Sequence, residues 1–146
     1  MKTKLYSYLL VTLQCLFVME LWLYNASFYT QLAPLLVFCF GLGFGLYTLM
    51  HNPLDNVNII PEIKENAVLI THGAYKYIRH PMYFSLLCMM AGVLMASVNF
   101  VTMGLYGLLM VTLVLKAQKE EKLWSQQSLE YQRYMRKTKS IIPFIF

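Results

Sequence analysis

The sequence predicts an all-α integral membrane bundle of about four transmembrane helices, followed by a C-terminal helix lying in the cytoplasmic membrane interface. The chain of 146 residues is 58% hydrophobic and only 13% charged, whereas an average soluble domain is roughly 25% charged. Its apolar residues form long runs, and its basic residues fall between those runs. A chain of this length with that composition predicts one membrane domain, residues 1–146, with no room for a separate soluble domain.

Four apolar runs account for the predicted spans. The first covers about residues 5–24 and the second about residues 32–50, and each can cross a hydrocarbon layer that needs about 20 helical residues. The third covers about residues 82–98 and the fourth about residues 100–115. Little more than Asn99 separates the last two runs, which predicts a tight antiparallel hairpin.

The basic residues predict the orientation of the bundle. All twelve lysines and arginines precede the first run, separate the second from the third, or follow the fourth. Cationic loops resist translocation, so both termini are predicted to be cytoplasmic in a multi-pass protein of a bacterial inner membrane or of the endoplasmic reticulum. The net charge of +5 favours an anionic membrane surface over nucleic acid, because the basic residues flank the apolar runs.

The most informative polar stretch ends at the predicted start of the third span. Arg79 and His80 stand directly before Pro81, a residue suited to the first turn of a helix. Cationic side chains beside unpaired helical N–H groups favour a carboxylate or phosphate ligand. The alternative is that the two residues only anchor the helix at the headgroups, with Tyr75, Tyr77 and Tyr83 in an aromatic belt.

A second polar cluster follows the fourth span. Glu120 and Glu121 are adjacent among lysines, and a cationic ligand or the hydroxyls of a ribose would give one carboxylate a partner. The alternative is a solvated charge run that ends the span. Further along, Trp124 and Tyr131 share a helical face with other apolar residues, and we expect that face to rest on the bilayer. The three cysteines have no zinc-binding spacing, and we predict no metal site.

These motifs resemble the isoprenylcysteine carboxyl methyltransferase and phospholipid methyltransferase superfamily. The resemblance rests on Gly73-x-Tyr75-x-x-x-Arg79-His80-Pro81-x-Tyr83, a following hairpin and the Glu120-Glu121 pair, and it covers about residues 52–143. It implies a membrane methyltransferase that binds S-adenosylmethionine at the cytoplasmic face, through segments at about residues 52–83 and 116–143. A lipophilic or small methyl acceptor would enter from the bilayer.

The resemblance also implies residue roles. His80 and Glu121 are the catalytic candidates, since either could accept a proton from an amine or thiol acceptor. Arg79 and His80 are expected to hold the carboxylate of the cofactor. The predicted cofactor-binding residues are Tyr75, Arg79, His80, Pro81, Tyr83, Lys116, Glu120 and Glu121.

The sequence departs from the family pattern at three places, one of which is the Phe-Gly usual before the paired tyrosines, replaced here by polar or aliphatic residues. Ser85 stands where a glycine is common, and Lys116 replaces a family arginine when the Glu-Glu pair is matched directly. An ungapped match from Pro143 would instead place the two family acids on Lys119 and Glu120. We expect Glu121 to point into the pocket, while the second register leaves Glu120 as the alternative.

Two other functions remain open from the sequence. A sterol-type reductase of membranes carries a similar His-Pro-x-Tyr element and would bind NADPH at the same face, although the chain is short for a dinucleotide and a sterol. A small four-helix transporter could use Glu20, since an acid inside an apolar helix is a functional candidate. The transporter would not explain the two polar cytoplasmic segments.

Overall fold

The computed structural model describes residues 2–52, 56, 58–62 and 67–143. That part of the chain contains no β-strand, and its α-helices are α1 (Lys2–Tyr24), α2 (Leu32–Met50), α3 (Pro81–Met95), α4 (Phe100–Gln127) and α5 (Leu129–Met135). The predicted all-α class is therefore confirmed over this part. Lys64, which entered the topology prediction, and residues 53–55, 57, 63, 65 and 66 of the predicted cofactor-binding segment lie outside the described residues.

Three of the described helices, α1, α2 and α4, are long and apolar enough to cross a membrane. The 15 residues of α3 extend about 22 Å at 1.5 Å per residue, which is less than the roughly 30 Å of a hydrocarbon core. A multi-pass membrane protein is thus supported by length and composition. The count of four spans stays a prediction.

The helices associate in two pairs, with α2 against α3 and α1 against α4. Small residues let α2 and α3 approach closely: a side chain at Gly92 would lie 2.6 Å from the Phe38 backbone nitrogen. Ser85, the departure from the family glycine, donates a 2.7 Å hydrogen bond to the Gly41 carbonyl. The serine is therefore accommodated in the α2–α3 contact without an unpaired hydroxyl.

The hairpin between α3 and α4 turns at Asn99, as predicted. The Asn99 side chain accepts from the backbone nitrogens of Val101 and Thr102, and the Thr102 hydroxyl accepts from the Asn99 nitrogen. This reciprocal arrangement is a capping box that begins α4.

Beyond the hairpin, α4 is longer than the apolar run that predicted the fourth span. The fourth span was expected to end near residue 115, but α4 continues without a break to Gln127. Its extension carries Glu120 and Glu121 on the same helix as the span. The helix that follows, α5, has only seven residues and begins after Ser128, whose hydroxyl accepts from the Tyr131 nitrogen.

Candidate functional site

A cavity of about 390 Å³ opens among the polar ends of the helices. Its wall combines Gln14 of α1, the segment between α2 and α3, the first half of α3, and the end of α4 with α5. A volume of this size lies within the range of roughly 300 to 1,000 Å³ that is typical of small-molecule sites. Both predicted cofactor-binding segments meet here.

Arg79 is held in the cavity wall by a two-point ion pair. Its Nε and Nη2 donate to the two carboxylate oxygens of Glu121 at 2.9 and 3.2 Å. Its Nη1 donates to the backbone carbonyls of Met135 and Thr138. The guanidinium fork expected to grip a ligand carboxylate is thus directed to Glu121 and the C-terminal segment, although Arg79 still lines the cavity.

The C-terminal segment fixes the Arg-His-Pro motif from behind. Ile78 and Lys139 form an isolated parallel bridge, and the nitrogen of His80 donates to the Ser140 carbonyl at 2.9 Å. The Ser140 hydroxyl adds a 2.7 Å hydrogen bond to Glu121 Oε1. Ser140 was not among the predicted site residues, because nothing in its local pattern indicates a partner 60 residues away in the motif.

Gly73 provides the turn that leads into the motif. Its φ of +61° is in the left-handed region, and a Cβ there would lie 2.7 Å from the His51 ring. Both observations favour glycine over any other residue. The short 3-10 helix Gly73–Lys76 that begins here brings Tyr75 to the cavity.

His80 lies buried between the two acids. Its Nε2 is 3.0 Å from Glu121 Oε1 and its Nδ1 is 3.4 Å from Glu120 Oε2. Burial lowers the pKa of His80, but hydrogen bonds and charge from Glu120 and Glu121 raise it more, so the net pKa lies above its ordinary value. This environment favours the imidazolium, which donates from both nitrogens and has no site for another proton.

The two acids face different ways. Glu120 lines the cavity and accepts a hydrogen bond from the Tyr83 hydroxyl. Glu121 is absent from the lining, and its Oε1 accepts from Arg79, His80 and Ser140 together. Adjacent residues on a helix diverge by about 100°, so only one can face the cavity. We expected that residue to be Glu121, and the structure directs Glu120 there instead.

Lys116 is a buried cation at the cavity wall, with 1% of its surface exposed. Its Nζ donates to the Gln14 side-chain oxygen and, at 3.1 Å, to the Ile59 carbonyl. The ammonium also lies 5.2 Å from the centre of the Tyr83 ring. Gln14 was not among the predicted site residues; a lone amide within an apolar helix was the available signal.

Aromatic rings from α4 and α5 form another side of the cavity. Trp124 and Tyr131 stack with their centres 5.5 Å apart, and the Tyr134 hydroxyl donates to the Tyr75 carbonyl. Burial raises the pKa of both Tyr131 and Tyr134. The expectation that this aromatic face rests on the bilayer was wrong, because it packs on the motif and lines the cavity.

Two asparagines that follow α2, neither of them a predicted site residue, form hydrogen bonds within the cavity wall. Asn52 donates to the Tyr75 hydroxyl at 2.9 Å, and Asn56 donates to the Asn52 side-chain oxygen at 2.8 Å. Asn56 also exchanges two 2.9 Å hydrogen bonds with the Val68 backbone. All four residues line the cavity. The available signal was the recurrence of Asn at positions 52, 56 and 58.

Comparison with known proteins agrees with the motif. The model of the isoprenylcysteine carboxyl methyltransferase (ICMT) family matches residues 32–126, which is more than half of the chain. The chain belongs to the ICMT family. Membership indicates a membrane methyltransferase, and members of the ICMT family generally use S-adenosylmethionine. A search of curated proteins finds no match. The ICMT match includes α2, α3 and nearly all of α4, and leaves out α1, α5 and the C-terminal segment.

The structure brings most of the predicted site residues to one cavity. Seven of the eight predicted cofactor-binding residues line it: Tyr75, Arg79, His80, Pro81, Tyr83, Lys116 and Glu120. Glu121 lies behind them as the partner of Arg79. Lining residues that the prediction omitted include Gln14, Asn52, Asn56, Glu62 and Trp124.

Proposed function

We propose that this ICMT-family protein is an S-adenosylmethionine-dependent methyltransferase that binds its cofactor in the cavity between α3, α4 and α5. The observation that carries the proposal is the convergence of the carboxylate of Glu120, the ammonium of Lys116 and the stacked rings of Trp124 and Tyr131 on one volume of about 390 Å³.

The side chains around the cavity fit the chemical groups of that cofactor. Carboxylates such as Glu120 and Glu62 accept hydrogen bonds from hydroxyl and ammonium groups and attract a cation. The ammonium of Lys116 could pair with the carboxylate of the cofactor. The faces of Trp124 and Tyr131 suit a purine ring and a sulfonium, because aromatic faces attract both flat rings and cations.

The proposal divides the predicted residues into two roles. Glu120, Lys116 and Tyr83 would contact the cofactor. Arg79 and Glu121 are positioning residues, since their mutual ion pair holds the motif against the C-terminal segment. The catalytic role assigned to Glu121 from sequence passes to Glu120 in this proposal, because Glu120 is the acid of the pair that faces the cavity.

Bound cofactor would supply a methyl group activated by its attachment to a positively charged sulfur. The chain would orient the reactants and exclude water, and near-attack positioning alone can supply about 7 to 11 kcal/mol of the barrier. Glu120 is the cavity carboxylate that could accept a proton from an amine or thiol acceptor. His80, as an imidazolium, would hold Glu120 in place rather than act as a base.

The acceptor would be a lipophilic or small molecule that reaches the cavity at the cytoplasmic membrane face. Partly exposed apolar side chains of α3, namely Met82, Leu86 and Met89, line one side of the cavity and offer contacts to a hydrocarbon chain. The orientation rests on the one-sided distribution of basic residues.

The rival functions have weaker support. Glu20 lies only in a shallow depression with Leu23 and Tyr24, at the opposite end of α1 from Ser7 and its partner Glu62. A reductase would need the cavity to hold a whole dinucleotide beside its substrate. No observation in the described residues favours either function over methyl transfer.

Activity is tested directly with purified protein in lipid nanodiscs. The protein is incubated with S-adenosylmethionine carrying a labelled methyl group and with fractions of a membrane extract. We expect label in a lipid-soluble or small-molecule fraction with wild-type protein and a large loss with Glu120→Gln. Failure of wild-type protein to bind S-adenosylmethionine would refute the proposal.

A further inference from the structure

Helix α1 lies outside the residues matched by the ICMT family, yet it contributes a side chain to the cavity. Gln14 is about halfway along α1, and its side-chain oxygen accepts a hydrogen bond from Lys116 Nζ. An amide or an ammonium that is buried without a partner is costly. The pairing satisfies both groups and links α1 to α4 at the cavity wall.

Lys116 and Glu120 are four residues apart on α4, a spacing at which opposite charges commonly pair. Both residues are described, and they form no ion pair within 4 Å. The ammonium is directed instead to Gln14, the Ile59 carbonyl and the Tyr83 ring. Glu120 accepts a hydrogen bond from the Tyr83 hydroxyl and lies 3.4 Å from His80 Nδ1, and its side chain is 20% exposed.

We infer that Gln14 is a positioning residue that holds the Lys116 ammonium away from Glu120, so that the Glu120 carboxylate stays available to a cationic ligand. The inference rests on the proposed function. It makes Gln14 of α1 responsible for the expected preference of the cavity for a positively charged sulfur. Without the amide, Lys116 would gain its best remaining partner by turning to Glu120. The carboxylate, which His80 already contacts on one side, would then be paired with a second cation from within the same helix.

The test compares two ligands that differ at the sulfur. S-Adenosylmethionine carries a sulfonium, whereas S-adenosylhomocysteine lacks the methyl group and the charge. The ratio of their dissociation constants, measured by calorimetry in nanodiscs, reports the cation preference separately from the rest of the binding site. In Gln14→Leu we expect this preference to fall by about three- to tenfold, equivalent to about 0.7 to 1.4 kcal/mol, while affinity for S-adenosylhomocysteine changes little.

Three variants serve as controls. Gln14→Glu keeps a partner for Lys116, so its cation preference should equal or exceed that of the wild type. Thr12→Leu makes a similar polar-to-apolar change at an exposed position of α1 and should leave the preference unchanged. In a Lys116→Met background, adding Gln14→Leu should produce no further change, because the residue that Gln14 positions is gone.

If Gln14→Leu lowers the affinity for both ligands equally, or changes neither affinity, the inference is overturned and the proposed function still stands. If wild-type protein binds neither ligand, the proposed function fails by itself. The positioning role is then tested by solid-state NMR recoupling, which measures the distance between Lys116 ¹⁵Nζ and Glu120 ¹³Cδ. A shorter distance in Gln14→Leu than in wild type supports it, and an unchanged distance refutes it.

Discussion

The Nε and Nη2 atoms of Arg79 donate to both carboxylate oxygens of Glu121, which lies on a helix 42 residues further along the chain. This pair joins the segment before α3 to the end of α4. Ser140 and His80 donate to the same carboxylate, so the pair also joins the C-terminal segment to the motif. Arg79 in the cavity wall and Glu121 behind it thus tie the motif to α4 and to the C-terminal segment.

Arg79→Lys should destabilise the fold by about 1 to 3 kcal/mol, because lysine keeps the charge but cannot form the two parallel hydrogen bonds of the guanidinium. The measurement is the unfolding midpoint in detergent micelles, with Lys76→Arg as a control at an exposed basic position nearby. An unchanged midpoint would mean that the two-point pair contributes nothing to stability.

Glu120→Gln should mainly affect cofactor binding, whereas Glu121→Gln should mainly affect the stability of the fold. Loss of the Glu121 charge leaves Arg79 and His80 without their shared partner, so we expect stability to fall by about 2 to 4 kcal/mol. Loss of the Glu120 charge should mainly weaken S-adenosylmethionine binding, by at least about tenfold, because this carboxylate faces the cavity. Binding and unfolding are measured on both variants, and a binding loss confined to Glu121→Gln would reverse the two roles.

Stability should decrease as pH rises above about 6.5, the ordinary pKa of histidine. Below that pH, His80 is protonated in both the folded and the unfolded chain, and its interaction with the two acids contributes fully. As pH rises toward the raised pKa of the folded state, only the unfolded chain loses the proton, and the contribution fades. His80→Gln should remove this slope from a series of melting temperatures. A slope that survives in the variant would assign it to other groups.

Cysteine accessibility tests the predicted orientation. In a background without Cys15, Cys39 and Cys88, Tyr29→Cys and Lys137→Cys place single thiols at exposed positions on opposite sides of the bundle. An impermeant maleimide should label position 29 in intact cells and position 137 only after permeabilisation. The reverse pattern would invert the topology and move the cavity to the outer face.

Much of the architecture follows from local sequence patterns. The second span was predicted at residues 32–50 and α2 has those bounds, since an uninterrupted apolar run determines both burial and length. Asn99 and Pro81 also mark helix starts as predicted, because capping and a fixed φ act within a few residues. The fourth span was predicted to end near residue 115, where the lysines begin, and helix α4 itself continues to Gln127. In the structure, Lys116 is buried against Gln14, and local patterns do not pair two residues that are 102 positions apart.

Most residues of the motif line the cavity, but the directions of the two acidic side chains could not be predicted from the sequence. The motif located seven lining residues, whereas the direction of Glu120 and Glu121 depends on partners distant in sequence. Ser140 hydrogen-bonds to Glu121, and the parallel bridge at Lys139 holds the C-terminal segment beside Ile78. These contacts turn Glu121 away from the cavity, and neither adjacent charges nor helical periodicity could indicate them.

Trp124 in the cavity wall provides a direct reporter of the proposed binding of S-adenosylmethionine. The chain has two tryptophans, and Trp22 packs on Phe28 and Phe38 outside the cavity. Titrating Trp22→Phe protein in nanodiscs with S-adenosylmethionine should give a saturable change in Trp124 emission that NADPH does not compete away, whereas Trp124→Phe protein, which keeps Trp22, should give none. No saturable change at Trp124, or full competition by NADPH, would contradict the account.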